Sequence, residues 1–291
     1  MPRPPLVCGA LALALASEVL VGGCSGSKEK DELFVPMPLE EHKVKILADA
    51  EGNERSPAHV VIYLHRGSLH VTGGAEATVT GMATGAIGDP PPRVDHALDR
   101  IAIVQTIVGG APPQGDASFV LSLGKTPLAL EVETRTGQDQ TLDLGGVALV
   151  EGRFHTESGH LVIGWSAPNL LASASLTVRT ERGYIDLNHL GRMGGGKVTA
   201  KTTEGFIGID VGDFKGSSLS IDAEVGDGKL VLKVPPNVPA RADVVANVSA
   251  VVALGWRESG TTGYTLGDPS AVPRVVLRAQ GDAARFELRA E

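Results

Sequence analysis

Cysteine is almost missing from this 291-residue chain: there are two, Cys8 and Cys24, both at the extreme N-terminus. No disulfide can therefore staple the part of the chain beyond Cys24, which must hold by its own core. Aromatic residues make up only 4%, too few to line the closed apolar cavity of a lipid carrier. Basic clusters are absent as well. The balance is 26 basic against 34 acidic residues, a formal charge of −8, which argues against nucleic acid as a partner. The apolar run at 6–16 is too short for a spanning helix. What the chain does have is glycine, 37 residues of it, and glycine with few aromatics suits short strands and frequent bends.

The first 23 residues carry one basic residue, Arg3, then the apolar run, then small residues, which is the order of a secretory signal. The segment ends in Val21-Gly22-Gly23-Cys24. That stretch resembles a bacterial lipobox, a resemblance that implies lipidation of Cys24 as the first residue of the mature protein. Ordinary cleavage after Ala14-Leu15-Ala16, leaving Cys24 free, is the alternative. Residues 24–43, charged and punctuated by proline, read as a tether. Ordered structure is expected over 44–291.

The stretch GRMGGGKVT at 191–199 has the glycine and lysine spacing of a nucleotide-binding phosphate loop. Such a loop needs a Ser or Thr directly after the lysine and a helix following it. Here Val198 follows Lys197, and the next residues alternate apolar and polar with period two. That is the pattern of a half-buried strand, so a nucleotide is excluded and the glycines read as a connection between strands.

The same alternation recurs around a fixed turn. TRTG ends at Gly137, TESG at Gly159, TERG at Gly183, TTEG at Gly205 and VGDG at Gly228, at spacings of 22, 24, 22 and 23 residues. Alternating strands flank each one, and looser copies lie at 60–74 and 275–290. A lone unit of this length cannot bury its apolar face. Stacked units can, so the repeat predicts a solenoid-like all-β domain with one strip of Val, Ile and Leu inside. Its strands are expected to be antiparallel hairpins reversing at the glycines, with Thr and charged residues keeping the turns wet.

LEVETRTGQDQTLDLGG, VEGRFHTESGHLVIG, KLVLKVPPNVPARADV and the opening VVIYLHRGSLHVTGG together resemble the bacterial toast-rack adhesin-like domains. They are also similar to the C-terminal domains of envelope-stress regulators such as LiaF and phage-shock protein C. The resemblance covers about 58–290. It implies a single elongated cell-envelope domain without established catalytic residues, acting as a binding, scaffold or sensing module.

Chemistry is sparse in the residues themselves. His65 with His70, and His155 with His160, flank two of the turns but lack the closed ligand set of a structural zinc. A sugar-cleaving solenoid would need paired carboxylates on one face, yet Asp186 and Asp210 occupy different repeat positions, and alternation points both to solvent. Asp222 and Asp227 lack calcium-roll spacing. Ser68, Ser158 and Ser217 have no base beside them. No catalytic, cofactor or metal site is expected. The irregular segment 255–273 carries Trp256 and Tyr264, which either pack over the solenoid's end or grip a partner such as an envelope protein or polysaccharide. The expected setting is the envelope, with a lipid anchor in the membrane, the outer one where the organism has two. A polysaccharide-acting enzyme and a lipid carrier are the alternative functions.

Overall fold

A computed structural model describes residues 42–85, 89–106, 115–246, 251–268, 271–272 and 274–291. The signal segment, Cys24 and the tether up to residue 41 lie outside the described residues. The strands are, in order, β1 (Lys43–Ala48), β2 (Ala58–Gly73), β3 (Val79–Thr84), β4 (Arg93–Ala97), β5 (Arg100–Val104), β6 (Ala117–Leu123), β7 (Leu128–Asp143) and β8 (Leu149–Gly164). Then come β9 (Ala174–Asn188), β10 (Gly196–Asp210), β11 (Leu219–Val234), β12 (Ala240–Ala246), β13 (Val251–Leu254), β14 (Arg257–Ser259), β15 (Gly263–Leu266) and β16 (Val275–Ala290). All belong to one all-β sheet in the order β1-β3-β6-β2-β7-β8-β9-β10-β11-β16-β12-β15-β14, with β4, β5 and β13 alongside.

The repeat units do not form antiparallel hairpins. Each is one strand of 15 or 16 residues that runs through its glycine, and neighbouring units pair in parallel from β2 through β7, β8, β9, β10 and β11 to β16. The glycine is a corner, not a reversal to a new strand. Gly159, Gly183, Gly205 and Gly228 stand directly beside one another across these pairs, at φ of 124°, 145°, 141° and 138°. Two constraints fix glycine here. The backbone lies at a φ that side chains rarely adopt, and a Cβ on Gly205 would run into the carbonyl oxygen of Gly183.

Each strand thus has a first arm before its glycine and a second arm after it. Residues 144–148 alone carry the chain from the end of β7 to the start of β8. Their reach is about 20 Å, less than an arm of about seven residues at roughly 3.3 Å each. The arms must therefore fold back toward each other. A flat parallel sheet needs a crossover of about a dozen residues; here the bent strand supplies most of the return.

Alternation then places every second residue of both arms inside. On the second arms, Ile163, Leu187, Ile209, Leu232 and Leu288 form one row, and Leu161, Ile185, Ile207, Leu230 and Phe286 another, all buried. On the first arms Phe154 covers Gly152, whose missing side chain makes room for the ring. Trp165, Leu190, Met193 and Val211, from the connections, close the remaining side in the same core. Trp165 is fully buried, as a core residue at a repeat end should be.

The threonines of the Thr-x-x-Gly motif are not in the wet turn. Thr134, Thr156, Thr180 and Thr202 are buried at the inner side of the corner. Thr156 and Thr202 donate their hydroxyls to the carbonyls of Ser158 and Glu204 at 2.9 and 3.1 Å. These two hydroxyls span the bend and satisfy a backbone acceptor there, whereas those of Thr134 and Thr180 are buried without a partner among the described residues. Only the two residues between Thr and Gly face water.

Antiparallel pairing is confined to the ends. At one, β5 and β6 lie along the first and second arms of β2, and β4, β3 and β1 pair antiparallel outside them. At the other, β12 and β13 lie along the two arms of β16, and β15 and β14 cover β12. Terminal coils of a solenoid would otherwise expose unpaired edges.

Candidate functional site

Because both arms bury one face, the chain presents two outer faces built from the residues left over by alternation. On the first arms these residues line up across the pairs, for example Glu133, His155, Arg179, Lys201, Glu224 and Gln280 in one row. A parallel row beside it runs through Glu131, Arg153, Thr177, Thr199, Asp222 and Arg278. A groove follows these rows. Its widest part, about 710 Å³, lies over Arg179, Thr199, Lys201, Asp243 and Gln280. Smaller hollows of about 280 and 60 Å³ continue it through Arg153 and Glu131 to His59 on β2, and one of about 250 Å³ extends it past Gln280 to Asp282. At about 4.8 Å per strand, the run from β2 to β12 spans roughly 30 Å or more.

The groove carries charges of both signs along its rows. Lys201 bonds Glu224 at 2.6 Å and Lys197 bonds Asp222 at 3.0 Å, each across one strand pair. The Lys201 ammonium, helped by Gln280 and Arg179, holds the Glu224 carboxyl below the usual range despite its burial. Lys197, the lysine of the phosphate-loop-like stretch, is thus an outward strand residue. Glycines 194, 195 and 196 before it make the connection, all at positive φ.

The second outer face is divided. Toward β8–β10 it carries rings and acids: His160, Tyr184 and Phe206 each directly follow a corner glycine and stand side by side. Tyr184 meets His160 edge-on at 5.9 Å and Phe206 at a tilt at 6.2 Å between centroids. His160 bonds Asp186 at 2.7 Å and stands 3.6 Å from Asp139. Burial pushes the Asp143 carboxyl up, but hydrogen bonds from Ser166 and from the Gly145 backbone outweigh it and leave the group lowered. Toward β16 the face is cationic. Lys229, Arg285 and Arg289 converge on Glu287 at 2.9, 3.1 and 2.7 Å. The hydrogen bonds from Lys229 and Arg289 bring Glu287 down to about 2.

The residues singled out from sequence fall as follows. Asp186 and Asp210 both lie on the second face, one strand apart and out of register, since Asp186 pairs with Gly208 and Asp210 with Lys233. Asp210 accepts a hydrogen bond from the Gly212 backbone at 2.9 Å. Both carboxylates are about one-third exposed on an open face, without a wall to exclude water. His155 and His160 lie on different arms, so the corner separates them; His65 and His70 do likewise around Gly67. Asp222 is taken up by Lys197, and Ser68 contacts Ser118 at 3.3 Å. Among the described residues no three His, Cys, Asp or Glu side chains gather as a metal site would require.

The segment 255–273, expected to be irregular, contains the β14–β15 hairpin that covers β12. Trp256 is buried at 7% exposure and Tyr264 packs half-buried against the same core. The Trp256 ring is turned inward because the last coil needs an apolar cover. The ring row His160–Tyr184–Phe206 was missed in the sequence, although each residue holds the same place after its turn glycine and an aligned repeat displays it.

No family model matches the chain, and no curated protein does. Among the described residues no helix is long and apolar enough to cross a membrane. Solved structures similar to this chain include a candidate cell-adhesion protein from Clostridium sporogenes, at 14% identity, covering 87% of this chain and 100% of that one with a TM-score of 0.46. A candidate adhesin from Bacteroides fragilis matches at 9% identity over 86% of this chain and 97% of its own, TM-score 0.44. A third, a candidate adhesin from Parabacteroides merdae, matches at 12% identity over 85% and 95%, with a TM-score of 0.27.

Proposed function

We propose that this chain is a non-catalytic binding module of the bacterial cell envelope, exported by its N-terminal signal and held to a membrane by lipid on Cys24. Its repeat surface takes an extended envelope polymer along the first-arm groove. The carrying observation is the continuity of that groove, which repeats the same outward rows from β2 to β12. A groove whose outward rows recur at one-strand intervals suits a ligand that itself repeats. Carboxylates on an open face, each separately engaged, give no support to a hydrolase, and a core filled by Trp165, Phe119, Phe154 and Phe286 gives none to a lipid carrier.

The test uses Cys24→Ala protein, expected to leave the membrane fraction, where wild type stays after washing. This soluble form should co-sediment with isolated cell-wall polysaccharide. Thr199→Trp, which places a large ring on the groove floor without touching the core, should weaken that binding at least tenfold. Equal binding by Thr199→Trp, or none by the parent, would overturn the groove assignment.

A further inference from the structure

The second outer face carries a feature the groove does not use. Both tryptophans are buried, yet Tyr184 stands 56% exposed at the centre of the ring row. Along β9 its outward companions are Asp186 and Asn188, which alternation sets on the same side. Each neighbouring strand has one glycine beside this line: Gly164 pairs with Asn188 and Gly208, which the Asp186 carboxylate and the Phe206 ring overhang, pairs with Asp186. Ring, carboxylate and amide therefore form a ridge along β9, with His160 and Phe206 beside the ring and Val162 beside the carboxylate. The Asn188 amide makes no hydrogen bond with the described residues, while Asp186 spends one oxygen on His160.

We infer that this ridge is a binding site for a pyranose ring of a neutral glycan. A pyranose has an apolar C–H face and a hydroxyl edge. The electron-rich face of Tyr184 takes the first, and Asp186 with Asn188 accept and donate to the second. The rings meet at 71° and 46° rather than in one plane, so Tyr184 takes one pyranose ring and His160 and Phe206 flank it. The carboxylates Asp139, Asp186 and Asp210 share this part of the face, and Lys229, just past Phe206, is bonded to Glu287, which favours a neutral sugar over an anionic one. This site stands on a different face from the groove and does not depend on it.

The experiment is saturation-transfer NMR on the soluble Cys24→Ala protein with cellotetraose and chitotetraose as probes. Transfer to pyranose C–H protons is expected for at least one probe. It should persist in Tyr184→Phe and Thr199→Trp and fall at least fivefold in Tyr184→Ala. It should weaken in Asn188→Ala. Unchanged thermal unfolding of the Tyr184 variants shows that the exposed substitution left the fold intact. Absence of transfer to both probes, or full transfer in Tyr184→Ala, overturns the site. Transfer lost in Thr199→Trp but kept in Tyr184→Ala would place the sugar in the groove, sinking this inference while leaving the proposed function standing.

Discussion

At the scale of single residues, the corner glycines have the least freedom. Gly205 combines a φ of +141° with a neighbour's carbonyl where its Cβ would be. Replacing it by Ala strains the backbone and forces a displacement of Gly183. Strain and overpacking each cost about 1–3 kcal/mol, and at about 2–4 °C per kcal/mol for a domain near this size, Gly205→Ala should melt roughly 4–24 °C lower by calorimetry. A shift under 1 °C would mean the corner is not where φ and packing place it. The motif as a string was legible in the sequence. That its threonine lies inside was not, because Thr is compatible with either side of a surface and only the closed bend removes it from water.

Among the elements, β16 has an unusual position. The final stretch of the chain is inserted between β11 and β12, and its Glu287 ties it to β11 through Lys229. The folded state holds Glu287 at about 2, against 4.5 for a free glutamate. The unfolded chain therefore takes up the proton first as pH falls. The stabilisation is complete above about 4.5 and is lost progressively as pH drops through the folded value. Melting temperature of wild type should decline between pH 4.5 and 2 more steeply than that of Glu287→Gln, which starts lower at pH 7 and has no such proton to bind. Parallel slopes in the two proteins would contradict the assignment. Glu224 and Glu291, also lowered by lysine partners, steepen the acid limb in both proteins alike. In the sequence β16 reads only as a degenerate repeat; its insertion between β11 and β12 depends on contacts between residues far apart in the chain.

For the whole molecule, in-register coils make the unit of stability the neighbouring pair. Deleting 183–204 joins Arg182 to Gly205 and removes one coil while keeping every corner in line. This variant should retain a β-type circular dichroism spectrum and unfold cooperatively, at a modestly lower temperature. A molten or aggregated product would show that coils are not interchangeable. The caps at each end predict the opposite for loss of β14–β15, which uncovers β12 and Trp256.

Sequence alone determined the repeat length, the glycines at its bends, the inward Val, Ile and Leu, and extended chain rather than helix after Lys197. All of these follow from local rules: period-two burial and the φ that only glycine takes freely. Strand direction was left to the tertiary structure, since alternation hides one face equally well in parallel or antiparallel neighbours. The short returns, too short to span an open strand pair, force the arms to close and the coils to run the same way. Only that closure gathers residues 22 to 24 positions apart into continuous rows, and the groove and the Tyr184 ridge exist because those rows do.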